Sequence, residues 1–509
     1  MDYGMNQLLI VHTAERGEKC MKQPLSDKLD DNIQQLREMF DNSVDLYTKP
    51  VELLGLPCCL CMFEGLSTIE RLWVVLLARI SESDAKPQNG EQLFSYLLHH
   101  TEVPLERIPV EDFDTLKRQL TAGTTVILID GCTKAVVLST QNMQFRSVQQ
   151  PSGEGDVRGS QEGFSDLLRI NLSLVRRLIR TDALTIKVLY AGEKTQTEIA
   201  LLYDKTLVKP EFLQAIQAKL EQVPLQALFD SSYLVPFLQR GSFSFFQEVG
   251  YTERPVTACA KICEGKVVVM VNGSPFALIL PYFFSEHFQS LDDYSTKAYF
   301  SSMIRAIKYF AFFVAILLPG IFVSAAEFTP ELFPPQLLYK VASAQAGTPL
   351  PLFLEMVVVI ILLEIIREAG LRLPKQIGHS VSLVAAIIVG DAAVKAAIVS
   401  TPVVIVAAIT TISIFVIPSL YEPATVLRIL FVLAGGFFGP LGISALFLVM
   451  VLSICGMQSF GIPYTSPFVP WAKGAVRDGV LRMSWKKLAQ KPFTIQDLLG
   501  EEQSYESDQ

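Results

Sequence analysis

Long apolar runs separated by short polar joints fill the last third of the chain. A helix that crosses a bilayer needs about 20 mostly apolar residues, and several runs approach or reach this length. They are Ala306–Ala326, Phe353–Ile366, Val381–Ser400, Val403–Leu420 and Ile429–Cys455. The pattern predicts an all-α, polytopic membrane domain of four to five hydrophobic helices over residues 301–460, followed by a C-terminal tail over 461–509.

Residues 1–300 show a different pattern, in which short β-branched apolar runs alternate with amphipathic helices. Residues 1–50 are predicted to be an N-terminal arm that ends in a helix at Asp27–Phe40, because its apolar residues recur at helical spacing. The remainder predicts a soluble α/β region of two subdomains, 51–150 and 181–300, joined over 151–180 by a linker that contains a helix.

Two segments of this soluble region repeat one another without gaps. Thr125–Leu138 and Val267–Leu280 each carry a β-branched run, a tight turn and a second apolar run. The turns contain Asp130-Gly131 and Asn272-Gly273, residue pairs that readily adopt positive φ and connect antiparallel strands. The repeat predicts that the two subdomains are related α/β units built around these hairpins.

Composition and charge exclude several classes of protein. The 509 residues carry a net charge of −8 and no basic tract stands out, so nucleic acid is not expected as a partner. The N-terminus lacks the basic-then-apolar pattern of a signal peptide, so the soluble region is expected in the cytoplasm. The five histidines are dispersed and the cysteines of the run 57–63 are expected to be buried. We expect no metal site, no cofactor and no enzymatic activity.

Charged residues at the ends of the apolar runs predict which side of the membrane they face. The basic residues are Lys297, Arg305 and Lys308 around the first run and Arg367, Arg372 and Lys375 after the second. The positive-inside rule then places the soluble region, the loop after the second run and the basic tail in the cytoplasm. This arrangement needs an even number of crossings, whereas five runs are present. Because Gly435-Gly436 and Gly439-Pro440 interrupt the last run, we expect that run to be re-entrant.

Two ionisable residues, Asp391 and Lys395, lie near the middle of the third run. Such residues inside a membrane indicate a functional site by default. One stripe at helical spacing is predicted to line a pore, with polar ends and an apolar centre that could act as a hydrophobic gate. Its residues are Ser380, Val384, Ile387, Asp391 and Lys395. The alternative is that Asp391 and Lys395, spaced i and i+4, neutralise one another and only help a helix to pack.

A second charged group ends the second apolar run. Arg367, Glu368 and Arg372 are predicted to be coupling residues at the cytoplasmic mouth, where they could contact the soluble region. The alternative is that they form the ordinary basic end of a helix.

Several blocks of the chain resemble motifs of the GerA family of spore germination receptors, specifically its A-type subunit. Residues 156–177 are similar to the family's VRGP…GF…LR block. Tyr251–Pro255 contains a TERP motif, and Val271–Phe276 is similar to the (D/N)G(S/T)PF motif. Leu363–Lys375 is similar to the ELLREAGLRLP signature. The resemblance extends in order over Ala122–Pro470.

This resemblance implies a multi-pass protein of the spore inner membrane that helps to trigger spore germination in response to nutrients. It implies a germinant receptor in which the A-type subunit works with a B-type integral membrane subunit and a C-type lipoprotein. It also implies a homo-oligomer, such as a pentamer, that forms a ligand-gated ion channel and releases monovalent cations.

The chain departs from the family pattern at three positions. Ser160 stands where the family has Pro, Asp391 where Gln is usual, and Lys395 where Glu is usual, so ion selectivity is not carried over. Two other functions stay open. The interrupted last run is compatible with a secondary transporter of amino acids or ions. An accessory germination channel or scaffold paralogue that does not sense nutrients would share the same motifs.

Overall fold

The computed structural model describes residues 23–67, 85–100, 106–140, 150–151, 153–155, 159–239, 244–372, 390–471, 475–489, 494–495 and 498. Within these residues, two antiparallel five-stranded sheets precede a bundle of long helices. The predicted fold class, an α/β N-terminal region followed by an all-α domain of hydrophobic helices, is confirmed. The predicted domain boundaries stay predictions.

The first sheet and its helices form unit 1, with the strand order β1-β2-β4-β5-β3. Its elements are β1 (Leu46–Leu53), β2 (Leu56–Phe63), β3 (Arg107–Val110), β4 (Thr125–Ile129), β5 (Ala135–Leu138), α1 (Leu29–Met39), α2 (Gly90–Ser95, followed by a π-helical turn at Tyr96–His100) and α3 (Phe113–Thr121). One face of the sheet buries Cys59 and Val126 against α1 and α3, and the other face packs on α2. The helix that the sequence places in an N-terminal arm thus contributes to the core of unit 1.

The second sheet and its helices form unit 2, with the strand order β6-β7-β9-β10-β8. Its elements are β6 (Leu184–Ala191), β7 (Thr197–Asp204), β8 (Gly250–Thr252), β9 (Val267–Val271), β10 (Ala277–Leu280), α4 (Leu168–Leu178), α5 (Pro210–Glu221), a short helix at Val235–Leu238, and α6 (Pro255–Cys263). One face packs on α4 and α6 and the other on α5. Strand by strand, this order is the same as in unit 1. The prediction of two related α/β units is therefore confirmed.

The two predicted turns hold equivalent helices in place. The Asp130 carboxylate accepts the Leu29 N–H at the start of α1 (3.1 Å), and the Asn272 side chain accepts the Leu168 N–H at the start of α4 (3.2 Å). A short polar side chain at a helix N-terminus satisfies a backbone donor that the helix itself leaves free. Each turn thus joins a hairpin to the helix that packs on it.

The two units are locked together by a buried ion pair. Arg176, on α4 of unit 2, donates through Nε to Asp45 Oδ2 (2.8 Å) just before β1, and its guanidinium lies over the Phe63 ring. Both charged side chains are buried. Removing one partner of such a pair leaves an uncompensated charge, so the contact fixes the relative position of the units.

The helical domain begins where unit 2 ends, after a short helix at Asp292–Ser295. Its helices are α7 (Ala298–Phe328), α8 (Pro335–Gln345), α9 (Leu352–Arg372), α10 (Thr401–Phe415) and α11 (Tyr421–Gly456), with a short helix at Trp485–Leu488 in the tail. By length and composition, α7 and the segment Pro418–Gly456 could each cross a membrane.

Helix α11 reverses direction in its middle. Gly439 has a φ of 60° and a ψ of −145°, and Pro440 follows it. A Cβ on Gly442 would lie 2.4 Å from the Ala434 carbonyl oxygen, whereas residues eight apart in a straight helix are separated by about 12 Å. Residues 421–438 and 440–456 are therefore antiparallel. The run that the sequence analysis expects to be re-entrant is a helical hairpin.

Both halves of this hairpin pack along α7. A Cβ on Gly435 would lie 2.6 Å from the Gly320 carbonyl oxygen, so the first half crosses α7 with backbones in close contact. In the second half, Phe447 packs against Phe313 with the ring centroids 6.5 Å apart. The helix α7 is thereby the central element of the domain.

Candidate functional site

The predicted pore stripe is only partly described by the structure. Ser380, Val384 and Ile387 lie outside the described residues. Asp391 and Lys395 lie on a helical stretch over residues 390–395, and Lys395 Nζ donates to Asp391 Oδ2 at 2.7 Å. The predicted i, i+4 contact is therefore present in the chain.

The Asp391–Lys395 pair is exposed to an unusual degree for charges in an apolar domain. Their side chains are 59% and 74% exposed, and the elements that flank them, α9 and α10, are apolar helices. Within one chain, the pair therefore faces outward and contacts only itself among the described residues.

The stretch that carries this pair ends in a tight corner. Ala397 has a φ of 52°, and the Ile398 N–H reaches back to the Ala393 carbonyl (3.0 Å), which ends the helix. Ser400 then precedes α10, and its N–H and hydroxyl both donate to Glu355 Oε2 on α9 (2.9 and 2.7 Å). Glu355 thus joins α9 to the corner.

The predicted coupling residues lie at the other end of α9 and differ in their surroundings. Arg372 pairs with Glu368 on the exposed surface. Arg367 instead contacts Glu364 (3.1 Å), and its guanidinium lies 3.3 Å from the centre of the Tyr421 ring at the start of α11. Within the described part of the chain, the structure therefore brings Arg367 against a second helix, whereas Glu368 and Arg372 form an ion pair with each other.

Sequence reasoning missed the buried centre of this cluster. Tyr421 donates its hydroxyl to Glu364, and Arg428 on α11 is buried, with Nη1 donating to the Thr411 hydroxyl of α10 (3.2 Å) and Nη2 at 3.8 Å from Glu364. Glu364 and Arg428 thus join the three helices α9, α10 and α11. The signal was available, because Glu364 lies inside an apolar run and Arg428 directly precedes one.

This cluster lies next to the contact with unit 2. Glu422, one residue after Tyr421, accepts the Gln247 side-chain amide (3.1 Å), and the Ser419 hydroxyl donates to the His287 carbonyl (3.3 Å). Phe284 and Phe288 pack with Phe312 of α7 in a shared apolar core. We call Gln247 and the segment Phe284–Phe288 the base of unit 2. This base and the α9–α11 cluster are therefore in direct physical contact.

The base of unit 2 also holds a buried ionic cluster. Glu286 accepts from Lys261 Nζ (2.6 Å) and from Lys266 Nζ. Burial lowers the pKa of Lys266 to about 8. Burial alone would raise the pKa of Glu286, but the two lysines outweigh it and hold that pKa at about 2. The cluster fixes the turn that leads into the helical domain.

No arrangement of catalytic type is present among the described residues. They contain no group of three or more His, Cys, Asp or Glu side chains that could hold a metal ion. Two cavities are an open polar depression of about 410 Å³ beside Tyr190 and Leu225, and an apolar groove of about 310 Å³ between α7 and Phe447. The polar depression has the carboxylates of Glu193 and Glu221 in its lining, whereas the lining of the apolar groove is without ionisable side chains.

Comparison with known proteins connects these features to a family. A model described as Bacillus/Clostridium GerA spore germination protein matches residues 34–494. Spore germination protein KA of Bacillus subtilis (strain 168) is 33% identical over 396 residues, covering 77% of this chain and 73% of that protein. The uncharacterized membrane protein YfkQ of the same organism is 31% identical over 488 residues, covering 94% of this chain and 93% of that protein.

A solved structure shows a weaker likeness. The crystal structure of the N-terminal domain of the A subunit of the Bacillus megaterium spore germinant receptor GerK3 aligns with a TM-score of 0.40 and 19% identity, covering 52% of this chain and 98% of that chain. The family match over residues 34–494 confirms the resemblance that the sequence motifs indicate. The chain belongs to the Bacillus/Clostridium GerA family of spore germination proteins.

Proposed function

We propose that this chain is the A-type membrane subunit of a nutrient germinant receptor and forms an oligomeric, ligand-gated channel for monovalent cations. The observation that carries the proposal is the exposed Asp391–Lys395 pair in an apolar helical domain. Charged side chains are costly in hydrocarbon, so such a pair needs water or a neighbouring subunit beside it. A ring of copies around an aqueous path supplies both.

The proposed pore is lined by the predicted stripe. Ser380, Val384 and Ile387 precede Asp391 and Lys395 at helical spacing, so Val384 and Ile387 form the apolar constriction and the ion pair forms a charged ring. A narrow apolar ring excludes ions because water leaves it, which keeps a resting channel closed without a plug. In a symmetric oligomer the same residues recur around one axis.

The fold-back of α11 supports a consistent topology. With the hairpin counted as two passes and the predicted run Val381–Ser400 as one, α7, α9, that run, α10 and the hairpin give six crossings. An even number places the soluble units and the basic tail on the same side, as the positive-inside rule requires. We propose that this side is the cytoplasm and that the membrane is the spore inner membrane.

The contact between unit 2 and the helical domain supports a coupling role for Arg367, Glu368 and Arg372. Arg367 stacks on Tyr421, beside the Glu422–Gln247 contact with unit 2. Movement of unit 2 would therefore reach α9 through Tyr421. Glu368 and Arg372 extend the same helix end and form the outer part of the proposed coupling surface.

A B-type integral membrane subunit and a C-type lipoprotein are the proposed partners. The experiment that tests the channel is cation flux from liposomes that contain the purified chain, alone and with these partners. We expect Ile387→Ser to wet the constriction and raise resting flux, and Lys395→Gln to change conductance. Lys134→Gln is a matched control, because Lys134 forms an exposed ion pair with Glu111 in unit 1, outside the proposed pore and coupling surface. If none of the pore variants changes the cation flux, this pore is rejected.

An accessory member of the family is the second candidate. YfkQ, which resembles this chain over 94% of its length, carries the description uncharacterized membrane protein rather than that of a germination protein. Neighbouring genes for B-type and C-type subunits would favour the receptor. Flux that is independent of these partners would favour the accessory channel.

A further inference from the structure

Glu355 is a fully buried carboxyl group in the helical domain to which the proposed channel assigns no role. Its Oε2 accepts two hydrogen bonds from Ser400, and its Oε1 contacts the Thr348 hydroxyl. The ion pairs of the described residues include no partner for it. Its surroundings are apolar, since Met356 and Val403 belong to the same buried cluster.

A buried carboxyl group is costly unless hydrogen bonds compensate it, and an apolar side chain of similar size would often be at least as stable. The role of Glu355 is therefore to be found in the groups that its hydrogen bonds hold in place. Two of its three donors belong to Ser400 and the third is the Thr348 hydroxyl, four residues before α9, so the distant element that Glu355 holds is the corner between the 390–395 stretch and α10.

The hydrogen bonding of Ser400 is also directed to this contact and not to its own helix. It occupies the N-cap position of α10, where serine usually accepts a hydrogen bond from its own helix, yet it makes no such bond. Its hydroxyl instead donates to Glu355 at 2.7 Å. The Glu355 carboxyl then lies at the N-terminus of α10, where the helix dipole favours negative charge.

The corner itself is strained. Ala397 has a φ of 52°, a left-handed conformation that is unfavourable for a residue with a Cβ. Such residues persist when surrounding contacts hold them, and they occur preferentially at switching sites. The corner is therefore a place where the loss of one contact can change the path of the chain.

We propose that Glu355 is a positioning residue that acts as a latch: it holds this corner, and with it the Asp391–Lys395 pair, in the resting position, and it releases Ser400 when the channel opens. Glu355 and Glu364 lie nine residues apart on α9, about 13 Å along the helix axis. The helix α9 thus links the Tyr421 cluster near unit 2 to the latch. The gating part of this inference rests on the proposed channel.

The latch can be tested without ion conduction. Val399, buried beside the corner, is replaced by Cys in full-length protein whose exposed Cys263 and Cys455 are replaced by Ser, and labelling by a membrane-impermeant maleimide is timed in liposomes. We expect Glu355→Ala to raise the labelling rate at least about tenfold, since hydrogen bonds to charged groups each contribute about 1.5–3 kcal/mol. Glu327→Ala is the matched control, because Glu327 is an exposed carboxyl that binds the Phe353 N–H of the same helix.

A double-mutant cycle separates a specific latch from general destabilisation. Ser400→Ala should raise the labelling rate by less than Glu355→Ala, because the backbone N–H of residue 400 remains. The double variant should label no faster than Glu355→Ala alone, since the two substitutions break the same contact. Additive effects, or equal rates in Glu355→Ala and the parent, would overturn the latch. If Glu355→Ala does not fold, Glu355→Gln and Ser400→Ala carry the same comparison.

Cation flux then tests gating. In the same liposomes, Glu355→Ala should raise resting flux about tenfold, and Glu355→Gln should lie between it and the parent, because an amide oxygen still accepts from Ser400. Faster labelling with unchanged flux would overturn the gating role while leaving the channel itself intact. If neither the parent nor Ile387→Ser conducts under any condition, the proposed channel is rejected. The labelling rates of the double-mutant cycle still show whether Glu355 holds Ser400.

Discussion

Units 1 and 2 share one strand order, yet in the described part of the chain the hydrogen bonds and apolar contacts with the helical domain come from unit 2. In both units, a hairpin turn receives the first N–H of a packing helix, through Asp130 in one and Asn272 in the other. At its base, unit 2 adds a buried ionic cluster around Glu286 and a contact between His287 Nε2 and the Tyr464 hydroxyl (2.9 Å). The comparison teaches that two units of one fold differ at their edges, because the contacts with the helical domain are made at the base of unit 2.

Unit 1 is tied to the rest of the chain through unit 2. Arg176 of α4 reaches Asp45, and the Val44 N–H donates to the Ile186 carbonyl of β6 (3.2 Å). Unit 2 is therefore the connecting element, with unit 1 on one side and the helical domain on the other. Changes at the two sides of unit 2 should have separable consequences.

The largest effect is expected where unit 2 enters the helical domain. Arg305 is fully buried and donates to Asp293 (2.7 Å) and Asp478 (2.8 Å). Arg305→Met would leave the buried Asp293 carboxylate without its closest cationic partner, and we expect it to lower the free energy of unfolding by about 3–5 kcal/mol. Thermal unfolding of the purified full-length protein measures this. The backbone amides of β4 and β5 in unit 1 should stay protected from hydrogen exchange. If they lose protection at the same rate as the amides of β9 in unit 2, the two sides of unit 2 are not separable.

Arg372→Met is the control for that variant. It removes an exposed partner of Glu368, and exposed pairs contribute only about 0–1 kcal/mol. A loss of stability equal to that of Arg305→Met would show that burial of the ion pair is not what matters.

Acidification should weaken the base of unit 2 before it affects unit 1. Burial lowers the pKa of His287 from 6.5 to about 4. Between these values the unfolded chain binds a proton that the folded chain resists, so stability falls as pH drops from 6.5 to 4, by up to about 3 kcal/mol. The difference between the units is measured by comparing the hydrogen-exchange rates of the backbone amides in β10 of unit 2 and in β5 of unit 1 as the pH is lowered. In His287→Gln this pH dependence should disappear, and its persistence would assign it to another group.

Smaller and equal effects are expected at the two matched turns. Asp130→Ala and Asn272→Ala each remove an acceptor from a helix N-terminus and should each cost about 1 kcal/mol. Denaturant unfolding of the full-length protein detects such changes. A much larger cost in one unit would mean that the turns are equivalent in geometry but not in energy.

The smallest effect is expected for an exchange between the units. Asp130→Asn and Asn272→Asp place in each turn the residue that the other turn already uses, and both residues are good acceptors at helix N-termini. We expect changes within about 0.5 kcal/mol. A larger penalty in the same unfolding measurement would show that each turn has become specific to its own unit.

The sequence repeat extends beyond the two hairpins to the segments that lead into α1 and α4. Asn32 and Asn171 each accept a hydrogen bond from the N–H of a serine six residues earlier and donate one to its carbonyl, Ser26 in unit 1 and Ser165 in unit 2. The shared spacing of serine, aspartate, leucine and asparagine over residues 26–32 and 165–171 is a usable signal. It was missed because the residues between them differ, and because a helix start alone carries less pattern than a strand pair.

The candidate site was only partly predictable for a related reason. The Asp391–Lys395 contact follows from i, i+4 spacing on one helix, and the structure contains it. The partners of Glu364 and Glu355 lie 57 and 45 residues away in sequence, on other helices, and no local spacing encodes them. An ionisable residue inside an apolar run could be recognised as unusual, but its partner could not be named.

The sequence by itself determined the hairpins, the amphipathic helices and the apolar runs, because strand and helix periodicity and turn chemistry depend on neighbours a few residues apart. Only the tertiary structure decided that α11 reverses at Gly439, that Arg428 meets Glu364, and that Ser400 binds Glu355. These contacts depend on which apolar surfaces of distant helices pack together. Packing is set by the shape and volume of the whole domain, so it becomes visible only when the chain is folded.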